Sequence, residues 1–78
     1  MYEEKLRELL AQHGKLSVDA NTVGLTDDLY AVGLTSLTTV NLMLAIEDEF
    51  DVEFEDSMLS RKTFQSIDAL SDALEELS

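Results

Sequence analysis

The chain has no cysteine, no proline and no tryptophan, and only three glycines and one histidine. Without cysteine, neither a disulfide framework nor a thiolate metal site can form. Glycines scattered at Gly14, Gly24 and Gly33 cannot build a phosphate-cradling loop. His13 has no second histidine to share a metal with, and nothing in the pattern brings it to a serine and an aspartate as a catalytic triad requires. It is expected at the C-terminal end of the first helix, where the dipole favours partial positive charge. Cations are also scarce: 5 Lys and Arg stand against 17 Asp and Glu, a net charge of −12. Such a surface excludes nucleic-acid binding, which needs basic groups. It favours basic partners reached by fast, salt-sensitive association. No apolar run is long enough to enter a membrane stably, and the N-terminus lacks a signal-peptide pattern, so a soluble cytoplasmic protein is expected.

What the chain does have is periodicity. A hydrophobic content of 45% excludes a disordered acidic tail. The length, 78 residues, bounds it to one small domain over 1–78 with a marginal core. Tyr2, Leu6, Leu9, Leu10 and His13 lie on one stripe of a first helix, with Gly14 where a C-terminal cap belongs. From Gly14 to Thr35 no period is sustained, yet Leu16, Val18, Val23, Leu25, Leu29, Tyr30, Val32 and Leu34 are too many apolar residues for a free linker. This stretch is expected to wrap the helices with those side chains inward, with a short turn near Thr26-Asp27-Asp28. A second helix runs from Ser36 or Leu37 to Phe50. Its expected core face is Val40, Leu42, Met43, Ile46 and Phe50, and its outward stripe is Leu37, Asn41, Leu44 and Asp48. A single helical turn is expected near Asp56 to Leu59. A last helix follows Ser66 as N-cap, with Asp68 in its first turn and Ile67, Leu70, Leu74 and Leu77 facing the core. The predicted fold is all-α, a small four-helix bundle of three longer helices and one short one.

Two acidic stretches superficially suggest calcium. An EF-hand loop needs glycine at its sixth position and glutamate at its twelfth. Counted from Asp51, those positions hold Asp56 and Lys62; counted from Asp19, glycine is present but Val23 and Tyr30 fall at ligand positions. Neither is an EF-hand, and no metal site is expected.

Ser36 is the most informative residue. Gly33-Leu34-Thr35-Ser36-Leu37 ends a polar loop and opens the second helix. A serine there has an exposed hydroxyl beside backbone N–H groups without intrahelical partners. A phosphate ester at that point would be held by those amides and by the positive end of the helix dipole. The plainer reading is that Ser36, or Thr35 before it, only caps the helix.

Over essentially its whole length the chain resembles an acyl carrier protein. The family's Asp-Ser-Leu signature is matched by Thr35-Ser36-Leu37, with Thr35 in place of aspartate. Val40, Leu42, Ala45, Ile46, Glu47, Glu49 and Phe50 resemble the family's second helix, Asp51-Val52-Glu53-Phe54 the segment after it, and Phe64-Gln65-Ser66-Ile67 the junction before its last helix. The resemblance implies an acyl-carrier-like bundle that is not an enzyme. It implies that Ser36 carries 4'-phosphopantetheine, installed by a phosphopantetheinyl transferase from coenzyme A with magnesium, whose thiol holds cargo as a thioester. It further implies a monomer that meets a cargo-loading ligase or synthase and downstream acyl-accepting enzymes. Leu37, Asn41, Leu44, Glu47 and Asp48 are the expected partner surface.

The departures point to specialisation. Carriers of fatty acid synthesis usually show carboxylates around the start of the second helix, where this chain has Thr35, Thr38 and Asn41. Ser60-Arg61-Lys62 is similar to a region of D-alanyl carrier proteins. A stand-alone carrier of an amino acid or unusual acyl group is therefore expected. The alternatives are an ordinary fatty acid carrier and an unmodified acidic interaction module.

Overall fold

The structure, a computed structural model, describes residues 2–77. Helix α1 (Glu3–Leu9) continues without a break into one wider π turn over Leu10–Gly14. Helix α2 spans Ser36–Phe50 and α3 spans Ile67–Leu77, with single 3₁₀ turns at Ala20–Thr22 and Asp56–Met58. No strand occurs among the described residues. The architecture is the expected helical one with an additional turn at Ala20–Thr22.

Local chemistry explains the boundaries. Glu3 and Glu4 complement the dipole at the start of α1. Ser66 caps α3, its Oγ accepting the Ala69 N–H at 3.0 Å. The end of the first helix departs from expectation. Gly14 is buried within the π turn, and the left-handed residue is Lys15, with φ 52° and ψ 45°. A π turn holds an extra residue, so the chain leaves the helix one position later than a regular α-helix would.

Leu6, Leu10, Leu29, Leu42, Ile46, Ile67, Leu70 and Leu74 are the largest fully buried side chains. Helix α1 packs against both α2 and α3, and Phe54 and Phe64 close the core with ring centroids 5.3 Å apart. On α2 the core stripe is Thr38, Leu42 and Ile46, with Met43 and Phe50 half-buried at its edge. Val40 is 49% exposed, contrary to the face assigned to it. Two residues before Leu42, it lies about 200° around the helix from that core position.

The long connection is pinned by polar bonds as much as by burial. Arg7 donates to the carbonyls of Ala20 at 2.8 Å and Val23 at 2.6 Å, and pairs with Glu3 at 3.0 Å. The Leu29 N–H donates to the Gln65 carbonyl at 2.7 Å, and the Asp68 N–H to the Leu25 carbonyl at 2.9 Å. Val23, Leu29 and Leu34 are buried as expected, whereas Val18 and Leu25 are exposed. The Asp27 N–H bonds the Gly24 carbonyl, which places a turn where one was expected. Gly33 is required where the connection crosses itself: its φ is +119°, and a Cβ would stand 2.8 Å from the Ser17 nitrogen. No described helix is long and apolar enough to cross a membrane.

Candidate functional site

Ser36 is the first residue of α2, and the cap belongs to its neighbour. Thr35 has extended backbone angles, and its Oγ1 accepts the Thr38 N–H at 3.2 Å. Thr38 Oγ1 accepts the Thr35 N–H in return at 2.8 Å, completing a capping box. Thr38 is therefore buried, only 6% exposed, and takes no part in the outer surface. Of the two capping readings, the one naming Ser36 fails and the one naming Thr35 holds. Ser36 itself is exposed, and its hydroxyl has no hydrogen-bond partner among the described residues.

The surroundings suit an anion. The N–H groups of Ser36 and Leu37 precede the first intrahelical bond, so the helix leaves them without acceptors. No acidic residue stands in the first turn of α2, although acids outnumber bases 17 to 5 in the chain. Beside Ser36 runs a groove of about 640 Å³, bounded by Thr39, Val40 and Met43 of α2 and by Tyr30, Leu59 and Arg61 from the connections. The Arg61 guanidinium lies 4.3 Å from the centroid of the Tyr30 ring. The Tyr30 hydroxyl is 3.2 Å from Thr39 Oγ1, which donates to the Thr35 carbonyl at 2.6 Å. The sequence pattern does not mark Tyr30, Thr39 or Arg61 as site residues. The adjacent pair Arg61-Lys62, two of only 5 cations in so acidic a chain, is the one sequence signal that points to this position.

The other expected site residues divide. Leu37, Asn41, Leu44 and Asp48 are all exposed on one stripe of α2, with Leu37 at 73% and Leu44 at 54%. The far edge of that stripe borders a second groove against His13 and Lys15. His13 is half-buried there and does not share the Ser36 groove. Glu47 stands apart from the stripe: its Oε2 accepts the Phe54 N–H at 2.9 Å and so braces the chain that leaves α2.

The family model described as "phosphopantetheine attachment site" matches residues 4–74. The aminoacyl carrier protein of Agrobacterium fabrum is 48% identical over 69 residues, which cover 88% of this chain and 83% of that protein. Among solved structures, one is the carrier protein of Agrobacterium tumefaciens complexed with an engineered Bradyrhizobium japonicum glycine:[carrier protein] ligase and ATP. It superposes with a TM-score of 0.95 at 43% identity, over 99% of this chain and 100% of that one. A glycylated carrier protein bound to the Bradyrhizobium japonicum ligase gives a TM-score of 0.79 at 31% identity, covering 91% and 95% of the two chains. With its model matched over nearly all of these helices, the chain belongs to the phosphopantetheine-attachment family of carrier proteins.

Proposed function

We propose that Ser36 Oγ is the attachment point of 4'-phosphopantetheine and that the chain is a carrier of an amino acid. One observation carries the assignment: Ser36 stands at the first position of α2 with a free, exposed hydroxyl, because Thr35 and Thr38 have taken over the cap. The hydroxyl is thus available as an acceptor without unwinding the helix. The amides of Ser36 and Leu37 and the dipole of a 15-residue helix favour the negative charge of a phosphodiester there. Bound at Ser36, the group supplies the thiol that this cysteine-free chain lacks, and that thiol holds cargo as a thioester.

The amino-acid cargo rests on the carriers to which this chain is similar, one named as aminoacyl and one glycylated in complex with its ligase. It agrees with the first turn of α2, which offers no carboxylate to the basic enzymes of fatty acid synthesis. The partners are then a phosphopantetheinyl transferase and an ATP-dependent amino acid ligase, which the exposed stripe of Leu37, Asn41, Leu44 and Asp48 would meet. The carrier acts as a cytoplasmic monomer, consistent with the mutual repulsion of chains that each carry −12.

The test is intact mass after incubation with coenzyme A, magnesium and a broad-specificity transferase, followed by a glycine:[carrier protein] ligase, ATP and glycine. Wild type is expected to gain one prosthetic group and then one amino acid, and Ser36→Ala neither. A wild type that stays unmodified would make the chain a plain interaction module. A modified chain that refuses amino acids but is elongated well by ketoacyl synthases would be a fatty acid carrier.

A further inference from the structure

We infer that Arg61 is a binding residue for the phosphodiester on Ser36, held ready by the Tyr30 ring in the groove that both residues line. The inference rests on the assignment of Ser36 above and adds a side chain to it. Its starting point is where the cations go. Lys5 pairs with Glu8 and Glu49, each at 3.7 Å, and Arg7 pairs with Glu3. Arg61, Lys15 and Lys62 pair with no carboxylate among the described residues, in a chain with 17 acids, and of these three only Arg61 lines the groove beside Ser36. It lies instead over an aromatic face, 4.3 Å from the Tyr30 centroid.

That face is fixed. Tyr30 is half-buried, and its hydroxyl meets Thr39 Oγ1 at 3.2 Å. Thr39 Oγ1 in turn bonds the carbonyl of Thr35, the residue next to Ser36. The contacts Arg61–Tyr30–Thr39–Thr35 therefore tie a guanidinium on the connection between α2 and α3 to the start of α2. Stacking on a ring leaves the edge of a guanidinium free, and that edge carries the paired N–H groups that match phosphate oxygens. Ser36 and Arg61 line the same groove of about 640 Å³. A phosphodiester adds one more negative charge to a chain already at −12. A cation kept clear of carboxylates beside it offsets that repulsion locally.

The experiment uses the modified full chain, with attachment at Ser36 checked by intact mass, in wild type, Arg61→Lys and Arg61→Gln. The phosphorus resonance of the diester and the Arg61 Nε–H resonance are followed by NMR from low to moderate salt. Modification is expected to shift the Arg61 Nε–H in wild type. The phosphorus resonance should differ between wild type and Arg61→Gln at low salt, with Arg61→Lys between them, and the difference should shrink as salt screens the pair. Circular dichroism of each variant before modification separates a binding loss from a folding loss. Should Arg61→Gln disturb the fold, the Nε–H shift in wild type decides alone. Superimposable phosphorus resonances in folded variants, or an Arg61 Nε–H that ignores modification, would overturn the inference and leave Ser36 untouched. A chain that takes no group at all removes both readings.

Discussion

Helices α2 and α3 differ in what their apolar residues do. On α3, Ile67, Leu70, Ala73 and Leu74 are buried, while Asp68, Asp72, Glu75 and Glu76 are exposed. Each class of residue has one face. On α2 the buried residues reduce to Thr38, Leu42 and Ile46, while Leu37, Val40 and Leu44 stand between 49% and 73% exposed. Three apolar side chains on the outside of one helix do nothing for the fold; they suit a surface that is covered only when a partner docks. The helix starts differ in the same sense. Glu3 and Glu4 complement the dipole of α1 and Asp68 that of α3, but the first turn of α2 has no acid. Its positive end has no acidic side chain to complement it, which suits the phosphodiester proposed at Ser36.

Truncating leucines on both helices tests the difference between them most directly. Leu70→Ala should cost about 2–5 kcal/mol, the usual range for emptying a fully buried site. Leu37→Ala and Leu44→Ala should each change stability by less than ~0.5 kcal/mol, yet slow loading by the ligase. Urea unfolding and thioester formation measured on the same samples separate the two. Loss of stability from Leu44→Ala comparable with that from Leu70→Ala would mean that α2 has no free face.

Arg7→Met comes next. The side chain is replaced by one of similar length that cannot donate, so the Val23 carbonyl loses its Arg7 donor and the Ala20 carbonyl keeps only the Val23 N–H at 3.4 Å. A cost of about 1–3 kcal/mol is expected, together with faster amide exchange through 20–23. Unchanged exchange there would show that burial of Val23 and Ala20 alone holds the connection. Thr35→Ala should follow, at about 0.5–2 kcal/mol, because it removes the cap of α2. Ser36→Ala, one residue on, should cost much less while abolishing modification. Equal destabilisation by the two would return the capping role to Ser36.

Much of the fold and the site is legible in the sequence, and the misses have separate physical causes. The α3 stripe, the Ser66 cap and the exposed set Leu37, Asn41, Leu44 and Asp48 follow from periodicity and cap chemistry, which are local. Ser36 at the opening of α2 was legible for the same reason. Val40 was misplaced because a helix with apolar residues on most sides has no unique phase. Thr38 stands where fatty acid carriers usually show a carboxylate, yet it is buried here, its hydroxyl satisfied by Thr35. The bonds of Arg7 could not be read, since one backbone carbonyl is chemically like any other and nothing marks Ala20 and Val23 as its acceptors. Arg61 on Tyr30 joins two connections that neither composition nor period relates.

The smallest expected effect concerns the ends of the first two helices, each of which closes on a left-handed residue that is not glycine. Lys15 has φ 52° and Asp51 has φ 53°. For an L-residue that conformation costs roughly 1–2 kcal/mol, and glycine removes the cost at the expense of roughly 0.5–1 kcal/mol of extra freedom in the unfolded chain. Lys15→Gly and Asp51→Gly should therefore each stabilise by about 0.5–1 kcal/mol. Charge then splits the pair. Asp51 places a carboxylate at the negative end of α2, so its removal relieves an unfavourable dipole contact and takes one acid from a chain at −12. Lys15→Gly instead removes one of only 5 cations. At low salt Asp51→Gly should raise the melting temperature more than Lys15→Gly does. The gap should close as salt shortens the screening length to about 10 Å at 0.1 M. A gap that persists at high salt would show that the two turns differ in backbone strain rather than in charge. Gly14→Ala gives the complementary check, because Gly14 has no positive φ and a Cβ there would stand 3.3 Å from Leu10 Cδ2. If Gly14 were the true cap, that substitution would cost as much as the left-handed strain itself; with Lys15 in that role, only a slight adjustment of Leu10 is needed.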